Sequence, residues 1–148
     1  MKIYKTIAAI VFLQAAAFTF GQQVSSFPET DWQITENKDG VIFSTRRGNC
    51  DVFPGKKPLY YSFLKIENTG SEPKQLVFNF GLAFEEACSG CDDYSESHVE
   101  ITLGPNETVE GNCMFSNHLL TRLIVNPNLA GGWKFKSEIL TNLKINNQ

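Results

Sequence analysis

The chain has 148 residues, of which 42% are apolar and 20% charged, with a formal net charge of −3 and two histidines. That length is right for one domain with a genuine core, and a mild negative charge gives nucleic-acid phosphates no attraction and anionic lipid little. Beyond an apolar run near the start, whose alternative reading is an uncleaved anchor, no second stretch reaches the ~20 residues of a spanning helix.

The first predicted element is an export signal. Lys2 and Lys5 form a short positive start, and Ile7 to Phe20 form an apolar run broken only by Gln14 and Thr19. The small residues Thr19 and Gly21 stand at −3 and −1 of a cut before Gln22. This pattern predicts a cleavable signal over 1–21, a polar leader over 22–32 and a domain over 33–148. No cysteine lies near the cut, which argues against a lipid anchor. Losing Lys2 and Lys5 leaves 11 basic against 16 acidic groups, a net −5. The mature protein is expected to be secreted or periplasmic, with no membrane association after cleavage.

Beyond the leader the periodicity is two. Leu76, Phe78, Phe80, Leu82 and Phe84 fall on one face of QLVFNFGLAF, with Gln75, Asn79 and Gly81 on the other. HVEITL repeats this, placing Val99, Ile101 and Leu103 inward against His98, Glu100 and Thr102. VIFST at 41–45, LYYSFLKIE at 59–67, HLLTRLIV at 118–125 and WKFKSEILTNLKI at 133–145 are further strands, and TVEGNC at 108–113 is a weaker one. Turn chemistry separates them at Lys38-Asp39-Gly40, at 68–73 (NTGSEP), at 104–107 (GPNE) and at 126–132 (NPNLAGG). No segment carries a helical apolar stripe. About seven antiparallel strands at this spacing predict an all-β, immunoglobulin-like β-sandwich.

Particular phrases add a resemblance. FLKIENTGSEPKQLVFNF followed by ITLGPNETVEG resembles the B strand, C strand and later hairpin of bacterial immunoglobulin-like modules. Cys50, the Cys88–Cys91 pair, EGNC at 110–113 and the closing LTNLKI make nearly the whole mature chain similar to small exported proteins of Bacteroidota. The resemblance implies fold and compartment, and no reaction or ligand.

Cys50, Cys88, Cys91 and Cys113 are an even set that survives cleavage, and export predicts two disulfides. Following the strands up and down brings all four to one end of the sandwich. Bridges between segments, Cys50–Cys88 with Cys91–Cys113, are slightly preferred over Cys88–Cys91 with Cys50–Cys113. A four-thiolate zinc site on the same cysteines is a weaker reading, since the strong signature needs two C-x2-C pairs. A redox C-x2-C is weaker still, because Glu85, Glu86, Asp92 and Asp93 would raise the thiol pKa.

The remaining constellations are thin. Cys113 and His118 have the C-x4-H spacing of copper loops, but only His98 remains as a second imidazole. Glu85, Glu86, Asp92, Asp93 and Glu96 are calcium donors without an EF-hand pattern. Ser89 and Ser116 lack a G-x-S-x-G elbow. Trp32, Trp133, Tyr60, Tyr61 and Tyr94 would make an aromatic platform, although tryptophans opening strands more often pack the domain. Arg46, Arg47, Lys56 and Lys57 form a small basic patch beside Cys50. The sequence therefore predicts a non-enzymatic binding or structural module without cofactor. Its partner is an unidentified protein or glycan, met where the 46–58 and 85–97 loops come together.

Overall fold

The computed structural model describes residues 28–92, 96–124 and 134–148. Among them nine strands occur in chain order: β1 (Gln33–Lys38), β2 (Val41–Cys50), β3 (Leu59–Asn68), β4 (Lys74–Phe84), β5 (Cys88–Ser89), β6 (His98–Leu103), β7 (Thr108–Glu110), β8 (Thr121–Leu123) and β9 (Phe135–Asn147). All pairings are antiparallel. In one sheet β1, β2 and β3 lie side by side, and β7 and β8 share the far edge of β3. In the other, β9 runs along one edge of β4 while β5 and β6 divide its other edge.

The period-two pattern explains why the sheets stack. Val41 and Phe43 of β2 and Leu64 and Ile66 of β3 meet Leu76, Phe78 and Phe80 of β4 and Val99 and Leu103 of β6 in one buried cluster. Phe43 and Phe78 meet edge-on across the sheets, with ring centroids 5.6 Å apart. The result is an all-β sandwich. A second, smaller cluster of Leu82, Ile124, Tyr60, Phe84 and Phe135 closes the end where β2 and β4 finish.

Two turns show the chemistry that shapes the path. Asp39 (φ 50) and Gly40 (φ 76) make the tight two-residue link from β1 to β2, the left-handed pair a hairpin of this length requires. Asn68 is fully buried where the chain leaves the first sheet for the second. Its amide donates to Glu72 O and Gly104 O, each at 2.8 Å, and its Oδ1 accepts from Gly70 N at 3.0 Å. This one side chain fastens the crossing corner to the 104–107 turn.

The strands differ from expectation in instructive ways. β1 escapes the pattern because all six of its residues are exposed, and β5 is only two residues long. The expected strand at 108–113 stops at Glu110, and that at 118–125 begins as a 3-10 turn, His118–Leu120, before β8. β7 pairs with Lys65 to Glu67, and β8 with Tyr61 to Phe63. They are thus one strand position broken by an excursion over 111–120. The neck of the excursion is Gly111, whose N–H donates to Leu64 O at 2.9 Å. A Cβ there would stand 2.2 Å from Leu120 O, so only glycine lets the departing and returning chain touch.

Candidate functional site

The cysteines pair as Cys50–Cys113, with Cα atoms 5.4 Å apart, and Cys88–Cys91, at 5.8 Å. This corrects the preferred Cys50–Cys88 and Cys91–Cys113 pairing. The physical reason is the excursion: β7 stops early, and the freed chain carries Cys113 sideways to the end of β2, against Asn49. All four sulfurs lie in the half of the sandwich where β2 and β4 end, but on different sheets. The four cysteines of the zinc reading, Cys50, Cys88, Cys91 and Cys113, are instead divided between these two pairs.

The Cys88–Cys91 loop folds over the outer face of β4. Gly81 makes room for it, since a Cβ there would meet Ser89 O at 2.8 Å and Cys91 Sγ at 3.0 Å. Thr141 Oγ1 donates to Cys91 O at 3.1 Å, Asn79 Nδ2 donates to Asp92 O, and Ser97 Oγ donates to Gly90 O. These bonds explain why Asn79 and Gly81 are buried although they occupy the face opposite the core. Asn142 (φ 56) marks a bulge in β9 beside this loop.

On the outer face of the first sheet the excursion and the segment before β1 cover a continuous row of side chains. Phe115 (φ 55) leans on Tyr61 with centroids 5.2 Å apart, and Tyr61 stacks on Phe63 at 6.1 Å. Arg46 lies between Phe63 and Trp32, its Cζ 5.0 and 4.9 Å from the two ring centroids, and Lys65 Nζ is 5.4 Å from the Trp32 centroid. Trp32 and Tyr61 are therefore packing partners of cations and rings, not an open platform. Tyr60 packs in the smaller cluster, and Trp133 and Tyr94 lie outside the described residues. Burial pushes the Tyr61 phenol above its ordinary pKa.

The basic patch is dispersed. Arg46 faces outward in the row just described, whereas Arg47 turns between the sheets, where its Nε lies 3.0 Å from Glu138 Oε1. Ser62 Oγ donates to the same oxygen at 2.8 Å. Arg122, a charge set in an apolar run, reaches across from β8 so that its Nε donates to Phe80 O at 2.8 Å. That carbonyl sits in the gap between β5 and β6, where β4 has no strand partner on that edge. Burial holds the Arg122 guanidinium below its ordinary pKa, and Glu96 opposes the shift. Lys56 and Lys57 are exposed on a turn made by Pro54 and Gly55 (φ 77), closed by Lys56 N donating to Phe53 O at 2.9 Å.

Beside Cys113 the segment before β1 and the end of β2 enclose a cleft of about 350 Å³. Glu29 and Asp31 come from the segment, and Arg46, Asn49 and Phe63 from the sheet. Thr30 secures the segment, its N–H donating to Arg47 O at 3.1 Å and its Oγ1 accepting from Arg47 N at 2.9 Å. Asn49 donates its backbone N–H to Glu29 Oε1 at 3.2 Å, and its side-chain amide binds the same oxygen. Protein-family models, curated proteins and solved structures were compared with the chain, and none matches it.

The other predicted constellations do not assemble. Among the described residues no three His, Cys, Asp or Glu side chains converge as metal ligands. His98 and His118 are exposed on different elements, and Cys113 is bonded to Cys50. Glu85, Glu86, Asp92 and Glu96 are exposed without convergence, and Asp93 lies outside the described residues. Ser116 Oγ accepts from Asn112 at 3.2 Å, and Ser89 lies on β5; neither is joined to a histidine. The 46–58 stretch continues β2 of the first sheet, whereas the described residues 85–92 lie on β4 of the second. The cleft beside Cys113 was invisible to sequence reading because its acids precede the first strand. Their only signal was the acidic pair flanking Thr30.

Proposed function

We propose that the chain is an exported, non-enzymatic binding module on an immunoglobulin-like scaffold, and that the cleft beside Cys113 is its recognition site. The observation that carries this reading is the brace: the Cys50–Cys113 pair ties the excursion to the end of β2, at the cleft wall. Loops held on a rigid scaffold are where recognition is usually built. The connectivity supports the scaffold, since β3 lies between β2 and the β7/β8 edge while β4 lies between β6 and β9. This corresponds to a B strand between A and E, and a C strand between C′ and F. The charged start and apolar run at 1–21 support export.

Expression with its own leader, followed by N-terminal sequencing and thiol titration, tests the reading. A mature chain beginning at Gln22, with no free thiol and stability lost on reduction, supports it. A Cys88–Cys91 pair that is readily reduced and reshuffles scrambled disulfide substrates would overturn it in favour of a redox factor.

A further inference from the structure

We infer that the cleft between the segment before β1 and the end of β2 binds an uncharged, hydroxyl-rich ligand of the saccharide class. The inference rests on the binding-module reading and names what the module would take.

Arg46 carries the argument. Its Cζ lies over both the Trp32 and Phe63 rings, 4.9 and 5.0 Å from their centroids. It donates no hydrogen bond to any described residue, and its Nε is buried without an acceptor. A guanidinium has five N–H donors, and one packed into a protein wall ordinarily spends several of them on carbonyls or carboxylates. Two rings restrain the side chain and leave its terminal nitrogens, rather than the buried Nε, for a ligand, so much of its orientation entropy is lost on folding, before any ligand arrives.

Asp31 is the complementary group. It lines the same cleft, is exposed, and accepts no hydrogen bond among the described residues. Glu29 on the same segment spends one carboxylate oxygen on Asn49. The cleft thus offers fixed donors on one wall and an unused acceptor on the other, which suits a group that both accepts and donates. A hydroxyl does both. Charge argues against an ionic ligand: among the lining residues Arg46 and Arg47 balance Glu29 and Asp31, so no net field draws an anion or a cation. A cleft of about 350 Å³ is large enough for a small ligand, for which sites of about 300–1,000 Å³ are usual.

The test is a nuclear magnetic resonance titration of the secreted protein, following the Arg46 Nε–H and Trp32 indole N–H signals. The probes are maltose, cellobiose, N,N′-diacetylchitobiose and lactose, with inorganic phosphate and glucuronate as charged comparators. The expected result is that at least one neutral sugar moves both signals, and that Asp31→Asn and Arg46→Lys each weaken its binding about tenfold or more, as loss of a charge-assisted hydrogen bond requires. Asp31 is exposed, so Asp31→Asn keeps the test open even if Arg46→Lys perturbs the fold. Movement of both signals by phosphate or glucuronate, with none by the neutral sugars, overturns the ligand class and leaves the binding cleft standing. Silence with every probe also overturns it, while the thiol titration decides the module reading separately.

Discussion

The two disulfides differ by a factor of twenty in the length of chain they close, and this sets up a quantitative comparison. Cys50–Cys113 spans 63 residues and Cys88–Cys91 spans 3. In the chain-entropy account, the first limits the unfolded chain by about 4.3 kcal/mol and the second by about 1.6 kcal/mol. The structure widens the gap, because Asn79, Ser97 and Thr141 grip the 88–92 loop by hydrogen bonds that need no sulfur bridge. Among the described residues no comparable set of hydrogen bonds ties the 112–116 stretch to the end of β2. The Cys50→Ala/Cys113→Ala double variant is therefore expected to lose about 4 kcal/mol, and Cys88→Ala/Cys91→Ala about 1–2 kcal/mol. Urea unfolding monitored by tryptophan fluorescence measures both. With a slope of roughly 2 kcal/mol per molar, the midpoints should fall by about 2 M and by less than about 1 M. Equal losses, or a larger loss from the Cys88–Cys91 pair, would refute the reasoning.

Gly111→Ala forces a Cβ against Leu120 O and strains the Gly111–Leu64 hydrogen bond; we expect a loss of about 3 kcal/mol, read by thermal unfolding. Gly48→Ala, whose Cβ meets only the edge of Phe63 at 3.2 Å, should cost far less. Arg122→Ala leaves Phe80 O without its donor and should destabilise by about 1–3 kcal/mol in the same assay. Tyr61 has a raised folded-state pKa, so its contribution is intact below the unfolded value of about 10 and is lost as pH rises through the folded value. Stability measured against pH should fall more gently on the alkaline side in Tyr61→Phe than in the parent.

β4 and β6 were legible because each alternates cleanly and buries one face against the other sheet; Leu76, Phe78, Phe80, Val99 and Leu103 all lie in the core. β1 was not, because an edge strand with six exposed residues has no apolar side to betray it. The broken β7/β8 position was not legible either. EGNC and HLLTRLIV look like ordinary strand ends, and only the close approach at Gly111 shows that the chain departs and returns at one point. Arg46 and Arg47 make the same point on the scale of side chains. Neighbours in sequence, they face opposite sides of β2, and one enters the aromatic row while the other meets Glu138.

Alternation and turn residues therefore sufficed for the all-β class and for most strand positions, since both act over a few residues. Partner choice did not follow from them. Which cysteine meets which, whether an arginine is buried or presented, and where a cleft opens depend on contacts between distant segments. Asp31 and Arg46 belong to different segments, and Cys50 and Cys113 are 63 residues apart. Stacking two sheets is what brings such groups together, because it commits each side chain to the core or to an outer face and leaves the excursion over 111–120 to close the end.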